Sequence, residues 1–102
     1  MREVIGDVWL EEREDGYLLG ITKEFLEDSG DVTFVNFVKK PGEEFEKNET
    51  IISLETVKAA IEVKAPLPGR ILEVNQALSE DPEPINEDPE NTWLVKIEPK
   101  NR

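Results

Sequence analysis

The chain has 102 residues, 24 acids against 12 bases, a net charge of -12, and neither cysteine nor histidine. That length points to one domain over residues 1–102 with a modest core, and the charge argues against nucleic acid and anionic membrane surfaces as partners. The missing residue types exclude disulfides, a cysteine nucleophile, a histidine base and Cys/His zinc sites.

The start, "MREVIGDVWLEERED", is acidic and lacks the apolar core of a leader. No stretch approaches the roughly 20 apolar residues of a membrane span, so a cytoplasmic location is the default expectation. Residues 8–13, "VWLEER", read as a strand, 14–16 as a turn and 17–22, "YLLGIT", as the returning strand of a hairpin. Residues 23–30, "KEFLEDSG", predict one or two helical turns, with Thr22 as N-cap and Gly30 as stop. "DVTFVNFVKK", 31–40, alternates as a strand, with Val32, Phe34 and Asn36 on one face and Thr33, Val35 and Phe37 on the other. Residues 41–49 open with a Pro-Gly turn and are polar apart from Phe45, and 50–56, "TIISLET", form the next strand candidate.

"LETVKAAIE", 54–62, is ambiguous. As a helix, Leu54, Val57 and Ile61 would share a face; as a hairpin, the chain would turn near Val57-Lys58-Ala59 and Ile61, Val63 and Ala65 would alternate inward. Alanine pairs favour the first and β-branched flanks the second. "PLPG", 66–69, is a turn, "RILEVN", 70–75, a strand, and "TWLVKIEP", 92–99, the last strand. Between the last two, 76–91 holds three prolines and six acids and reads as a long ordered loop. An internal echo bears on the ambiguity. Gly30-x-Val32 and Gly69-x-Ile71 each open a strand, followed by a polar loop and a strand ending at Leu54 and Ile97, 24 and 28 residues on. Two similar β units flanking the lysine favour a tight exposed turn there, hence the hairpin.

Carboxylates are plentiful, but a chain this short offers little room for the cleft of an acid-pair hydrolase. The loop "EDPEPINEDPEN" lacks the glycine and ligand spacing of a helix-loop-helix calcium site. The glycines at 16, 20, 30, 42 and 69 form no phosphate cradle. Lys58 stands apart, as the sole base between Lys47 and Lys64. It is either an exposed lysine with its stem over apolar neighbours, or an amine presented for acylation, with small Ala59 and Ala60 leaving an enzyme room.

The segments Glu55-Thr56-Val57-Lys58-Ala59, Ala65-Pro66-Leu67-Pro68-Gly69 and Ile71-Leu72-Glu73-Val74-Asn75-Gln76-Ala77-Leu78 resemble the lipoyl-lysine region of glycine cleavage system H proteins. These typically read E-S-V-K-A, then A/S-P-x-S/x-G, then V-x-x-V-N-x-x-L. Upstream, "GITKEFLEDSGDVTFVNF", and downstream, "PEPINEDPENTWLVKI", are also similar to the family's patterns. The likeness runs from about residue 9 to 98. It implies an all-β fold, a flattened β-barrel or sandwich of two sheets (a lipoyl-domain-like barrel-sandwich hybrid) with a short helical segment near 23–29. It implies a monomeric, non-catalytic carrier with lipoate on Lys58 and a recognition turn of Glu55, Thr56, Val57 and Ala59. The implied partners are glycine decarboxylase, aminomethyltransferase, dihydrolipoyl dehydrogenase and a lipoate ligase or transferase. Biotin carriers share the architecture but usually set their lysine between methionines, whereas here the neighbours are Val57 and Ala59. The family's H-E-W stands here as Asp7-Val8-Trp9, the histidine that some members have near the lipoyl pocket has no counterpart, and the common C-terminal helical segment has none before Arg102. These departures leave an alternative, a short H-like carrier in another pathway. That pathway would be sulfur oxidation with a heterodisulfide-reductase-like complex, or a sirtuin and macrodomain system that ADP-ribosylates the carrier where Glu27 and Asp28 stand. A third reading is an unmodified acidic interaction domain.

Overall fold

The structure, a computed structural model, describes residues 1–100. In chain order its elements are β1 (Arg2–Ile5), β2 (Val8–Arg13), β3 (Gly16–Ile21), α1 (Lys23–Ser29), β4 (Val32–Phe37), β5 (Glu44–Phe45), β6 (Thr50–Thr56), β7 (Ala60–Lys64), β8 (Gly69–Val74), α2 (Ala77–Glu80), α3 (Glu83–Glu87), a 3-10 turn (Pro89–Asn91) and β9 (Trp93–Pro99). The strands form two antiparallel sheets, one ordered β1-β2-β3-β9-β8-β5 and the other β4-β6-β7. The expected two-sheet architecture therefore holds, and the echo has a structural meaning. Its first unit gives the pair β4–β6 to the small sheet, and its second gives β8–β9 to the large one.

The core lies between the sheets. Leu19, Ile21, Ile52, Leu54, Ile71, Val95 and Ile97 are almost wholly removed from water, and Phe25 of α1 joins them. At about 25 cal/mol per Å² of apolar surface, this burial is the main favourable term in so charged a chain. Thr22 caps α1 as its residue type predicts, its hydroxyl accepting from the Phe25 N–H at 3.2 Å. The 54–62 stretch is a hairpin: β6 and β7 pair in the register Ser53↔Glu62, Leu54↔Ile61, Glu55↔Ala60.

Three sequence readings need correction. Residues 76–91 are not a plain loop but two short helices and a 3-10 turn, with Leu78 and Ile85 buried in the core. Helices this short carry no readable period, and the prolines mask them. Strands β1 and β5 were not anticipated. β1 pairs all four of its residues with β2, and β5 pairs Glu44 and Phe45 with Arg70 and Gly69. The alternation of 31–40 also breaks. A β-bulge between Val32 and Phe34 shifts the register from Val32↔Thr56 to Phe34↔Glu55, so Val32, Val35 and Phe37 point inward while Phe34 turns out.

The first strands are closed by a clasp. Trp9 sits over Gly20, its register partner, where a Cβ would collide with the indole. Its Nε1–H donates to the Pro89 carbonyl at 3.0 Å, and the Arg2 guanidinium lies 3.9 Å from the ring centroid. Arg2 also donates to the Glu11 carboxylate at 2.7 Å and the Glu90 carbonyl at 2.6 Å. The hydrogen bonds from Arg2 hold the Glu11 carboxyl below its ordinary value.

Candidate functional site

The β6–β7 hairpin ends where the Thr56 N–H donates to the Ala59 carbonyl at 2.8 Å, leaving Val57 and Lys58 as its two-residue loop. Such loops usually adopt left-handed turns with positive φ. Among the described non-glycine residues only Asn48 has positive φ, so this loop closes another way. The buried Thr56 hydroxyl accepts from the N–H groups of Lys58 (3.2 Å) and Ala59 (3.1 Å) and donates to the Ala59 carbonyl (3.2 Å). One donor and two lone pairs are a hydroxyl's full capacity, so Thr56 is saturated by this turn. Sequence reading assigns Thr56 to the strand and the recognition turn. Its direct work is to fold the turn.

A second element braces the tip. The Val57 N–H donates to the Asp31 carbonyl at 3.0 Å, and the Lys58 Nζ donates to the Asp28 carbonyl at 3.1 Å. Asp28 lies in the last turn of α1, where carbonyls lack helical partners and carry partial negative charge. The helix stops at Gly30, whose φ of 81° and ψ of -179° favour glycine, and a Cβ there would run into the Val57 Cγ2. The glycine thus ends α1 and lets it approach the hairpin.

The structure brings the sequence candidates together. Glu55, Val57, Lys58 and Ala59 are exposed at the tip, and Glu27 and Asp28 are exposed on α1 beside it. Gly30, Asp31 and Asn86 belong to the same assembly although sequence reading gave them no site role. Asn86, on α3, places its side chain on the free edge of β4, accepting from the Val32 N–H at 2.8 Å and donating to the Val32 carbonyl at 3.0 Å. These are the two bonds that a neighbouring strand would make. Its one sequence signal is its place in "PEPIN".

Beyond the tip, β7 borders a groove of about 250 Å³ whose walls include Ile5, Val8, Phe25 and Ile61, with Asp7 and Glu62 among its polar groups. Hydrogen bonds from Lys64 (2.9 Å) and Thr50 (3.1 Å) hold the Glu62 carboxyl below its ordinary value. Arranged this way, the site presents one primary amine on a short stiff turn, next to an apolar trough.

Comparison with known proteins gives the same direction. The family model described as glycine cleavage H-protein matches residues 2–102. A glycine cleavage system H protein of Dinoroseobacter shibae is 47% identical over 90 residues, covering 87% of this chain and 73% of that protein. A probable glycine cleavage system H protein of Pyrococcus abyssi is 44% identical over 94 residues, covering 91% and 69%. The crystal structure of a glycine cleavage system H protein from Mycobacterium marinum superposes with a TM-score of 0.86 at 32% identity, covering 97% of this chain and 84% of that one. That likeness bears out the barrel-sandwich architecture. By the family match and the identity of these relatives, the chain belongs to the glycine cleavage H-protein family.

Proposed function

We propose that residues 1–102 are one lipoyl-carrier unit of the glycine cleavage system, with lipoate in amide linkage to Lys58. The observation that carries this reading is the placing of an exposed lysine amine at the end of a braced two-residue turn in a chain of this family. The amine, having lost its proton, attacks an activated acyl carbonyl; the C–N bond forms and the activating group departs. The amide keeps one N–H, so the bond to the Asp28 carbonyl remains available after modification. Ile5, Val8, Phe25 and Ile61 fit an apolar arm lying back along β7. When attached, the dithiolane supplies the redox and methylamine-carrying chemistry. The protein's part is to hold the arm's root still while leaving its length free, which raises the arm's effective concentration at each partner. Those partners are glycine decarboxylase, aminomethyltransferase and dihydrolipoyl dehydrogenase, and a lipoate ligase or transferase makes the attachment.

The test is the intact mass after co-expression with a lipoate ligase, with the adduct located by peptide sequencing. One lipoyl group on Lys58 is the expected outcome; a folded protein without it sinks the reading. A second reading keeps the arm and changes the pathway. Glu27 and Asp28 are exposed on the helix whose carbonyl holds Lys58, so ADP-ribosylation there would fall beside the arm. Loading of the lipoylated protein with methylamine by glycine decarboxylase separates the two, because the second reading expects none.

A further inference from the structure

Phe34 is the one phenylalanine of the chain with a large exposed surface, 47% of its area. Simple alternation from Val32 would bury it. The bulge at Val32/Phe34 turns it outward, opposite Glu55 on the outer face of the small sheet. The two bonds with Asn86 fix the Val32 backbone just before the bulge, and the Thr33 hydroxyl, within it, donates to the Glu55 carbonyl at 3.2 Å. An outward aromatic held by this much hydrogen bonding is a fixed feature of the surface. Bulges are used to re-aim side chains beside functional sites. Val57, 67% exposed, adds a second apolar group at the tip itself. From the register and strand spacing, Phe34 stands within about 12 Å of Lys58.

Lys58 apart, the charged residues nearest these two groups in the sequence are acidic. Glu27, Asp28, Asp31 and Glu55 are exposed around them, and no base occurs between Lys23 and Lys39 or, apart from Lys58, between Lys47 and Lys64. We infer that Phe34 and Val57 are the anchor of a docking face for the enzyme that acylates Lys58, whose active-site mouth offers an apolar socket rimmed by arginine or lysine. Such an enzyme must land on this face, because it has to draw the Lys58 amine into its own site. The apolar pair supplies affinity at the centre, and the acidic rim supplies encounter rate and orientation. This inference rests on the proposed acylation of Lys58.

Its test is steady-state lipoylation of the purified unmodified protein by a lipoate ligase, followed by intact mass. Phe34→Ser is expected to raise KM for the carrier about tenfold with kcat unchanged, as loss of an anchoring aromatic does. Val57→Ser provides a second variant that needs no change within a strand. Val4→Ser, at a residue 62% exposed on the other sheet, serves as the control and should leave KM unchanged. Added salt should raise KM for wild type and Phe34→Ser alike, because the rim is intact in both. Equal KM for wild type, Phe34→Ser and Val57→Ser overturns this inference alone, as does a fall in kcat without a change in KM. A wild-type protein that takes no lipoyl group overturns it together with the proposed function.

Discussion

The lysine tip and the acidic segment 76–91 both read from sequence as turns or loops, yet they are built on opposite principles. The tip is exposed from Val57 to Ala60 and is held by hydrogen bonds to Thr56, Asp31 and Asp28. The segment is anchored by burial: Leu78 and Ile85 enter the core, and Asn86, Pro89 and Glu90 bond outward to Val32, Trp9 and Lys23. The difference teaches that one exposed stretch can be fixed by hydrogen bonds while another is fixed by burial. The acidic segment ties the scaffold together through its buried side chains, and the tip is held in shape by a few hydrogen bonds.

That contrast can be broken or sharpened by substitution. Ile85→Ala, at a residue with no exposed surface, should lower stability by about 2–5 kcal/mol, read from chemical denaturation. A loss below 1 kcal/mol would return the segment to the status of a loop. Gly30→Ala should destabilise by about 1–3 kcal/mol from its backbone angles alone, and the clash with Val57 should also slow acylation of Lys58. Unchanged acylation would show that α1 does not brace the tip. Thr56→Val leaves two N–H groups without their acceptor and should cost about 1–2 kcal/mol. Amide exchange should quicken at Lys58 and Ala59, and Thr56→Ser should restore it.

Smaller again is a pH effect. Hydrogen bonds from Arg2, Lys39 and Lys64 hold Glu11, Glu49 and Glu62 below the ordinary 4.5. Near that pH the folded chain therefore binds fewer protons than the unfolded one. Their contribution is present above 4.5 and is lost as pH falls through the lowered values. Unfolding midpoints from pH 7 to pH 3 should decline, and Lys64→Met should flatten the part owed to Glu62. The least change in stability belongs to Lys58→Arg, within about 0.5 kcal/mol of wild type by thermal melting. A larger loss would mean that the Asp28 contact carries structural weight.

Much of this was legible in the sequence, for reasons that differ by residue. Thr22 and Gly30 mark the ends of α1 because capping and backbone freedom are local chemistry. The strands over Val8–Arg13, Thr50–Thr56 and Trp93–Pro99 carry enough β-branched and aromatic residues to be read alone. The hairpin at Lys58 was not decided by periodicity; it took the long-range echo, because a hairpin and an alanine-rich helix share their short-range pattern. What stayed hidden depends on distant partners. β1 and β5 are four and two residues long and exist through β2 and β8. The outward turn of Phe34 follows from a register shift against β6, and the part played by Asn86 from an edge 54 residues away.

The clasp at Trp9 makes the chain its own spectroscopic reporter. Trp9 is 1% exposed and sandwiched between Gly20 and the Arg2 guanidinium, while Trp93 is partly open to solvent. Light absorbed by the two indoles is therefore emitted from two unlike surroundings. Release of the first strand would admit water to one of them and shift its emission toward the red, even with the rest of the barrel intact. With Trp93→Phe as background, the opening of that seam could be followed in real time without adding a dye.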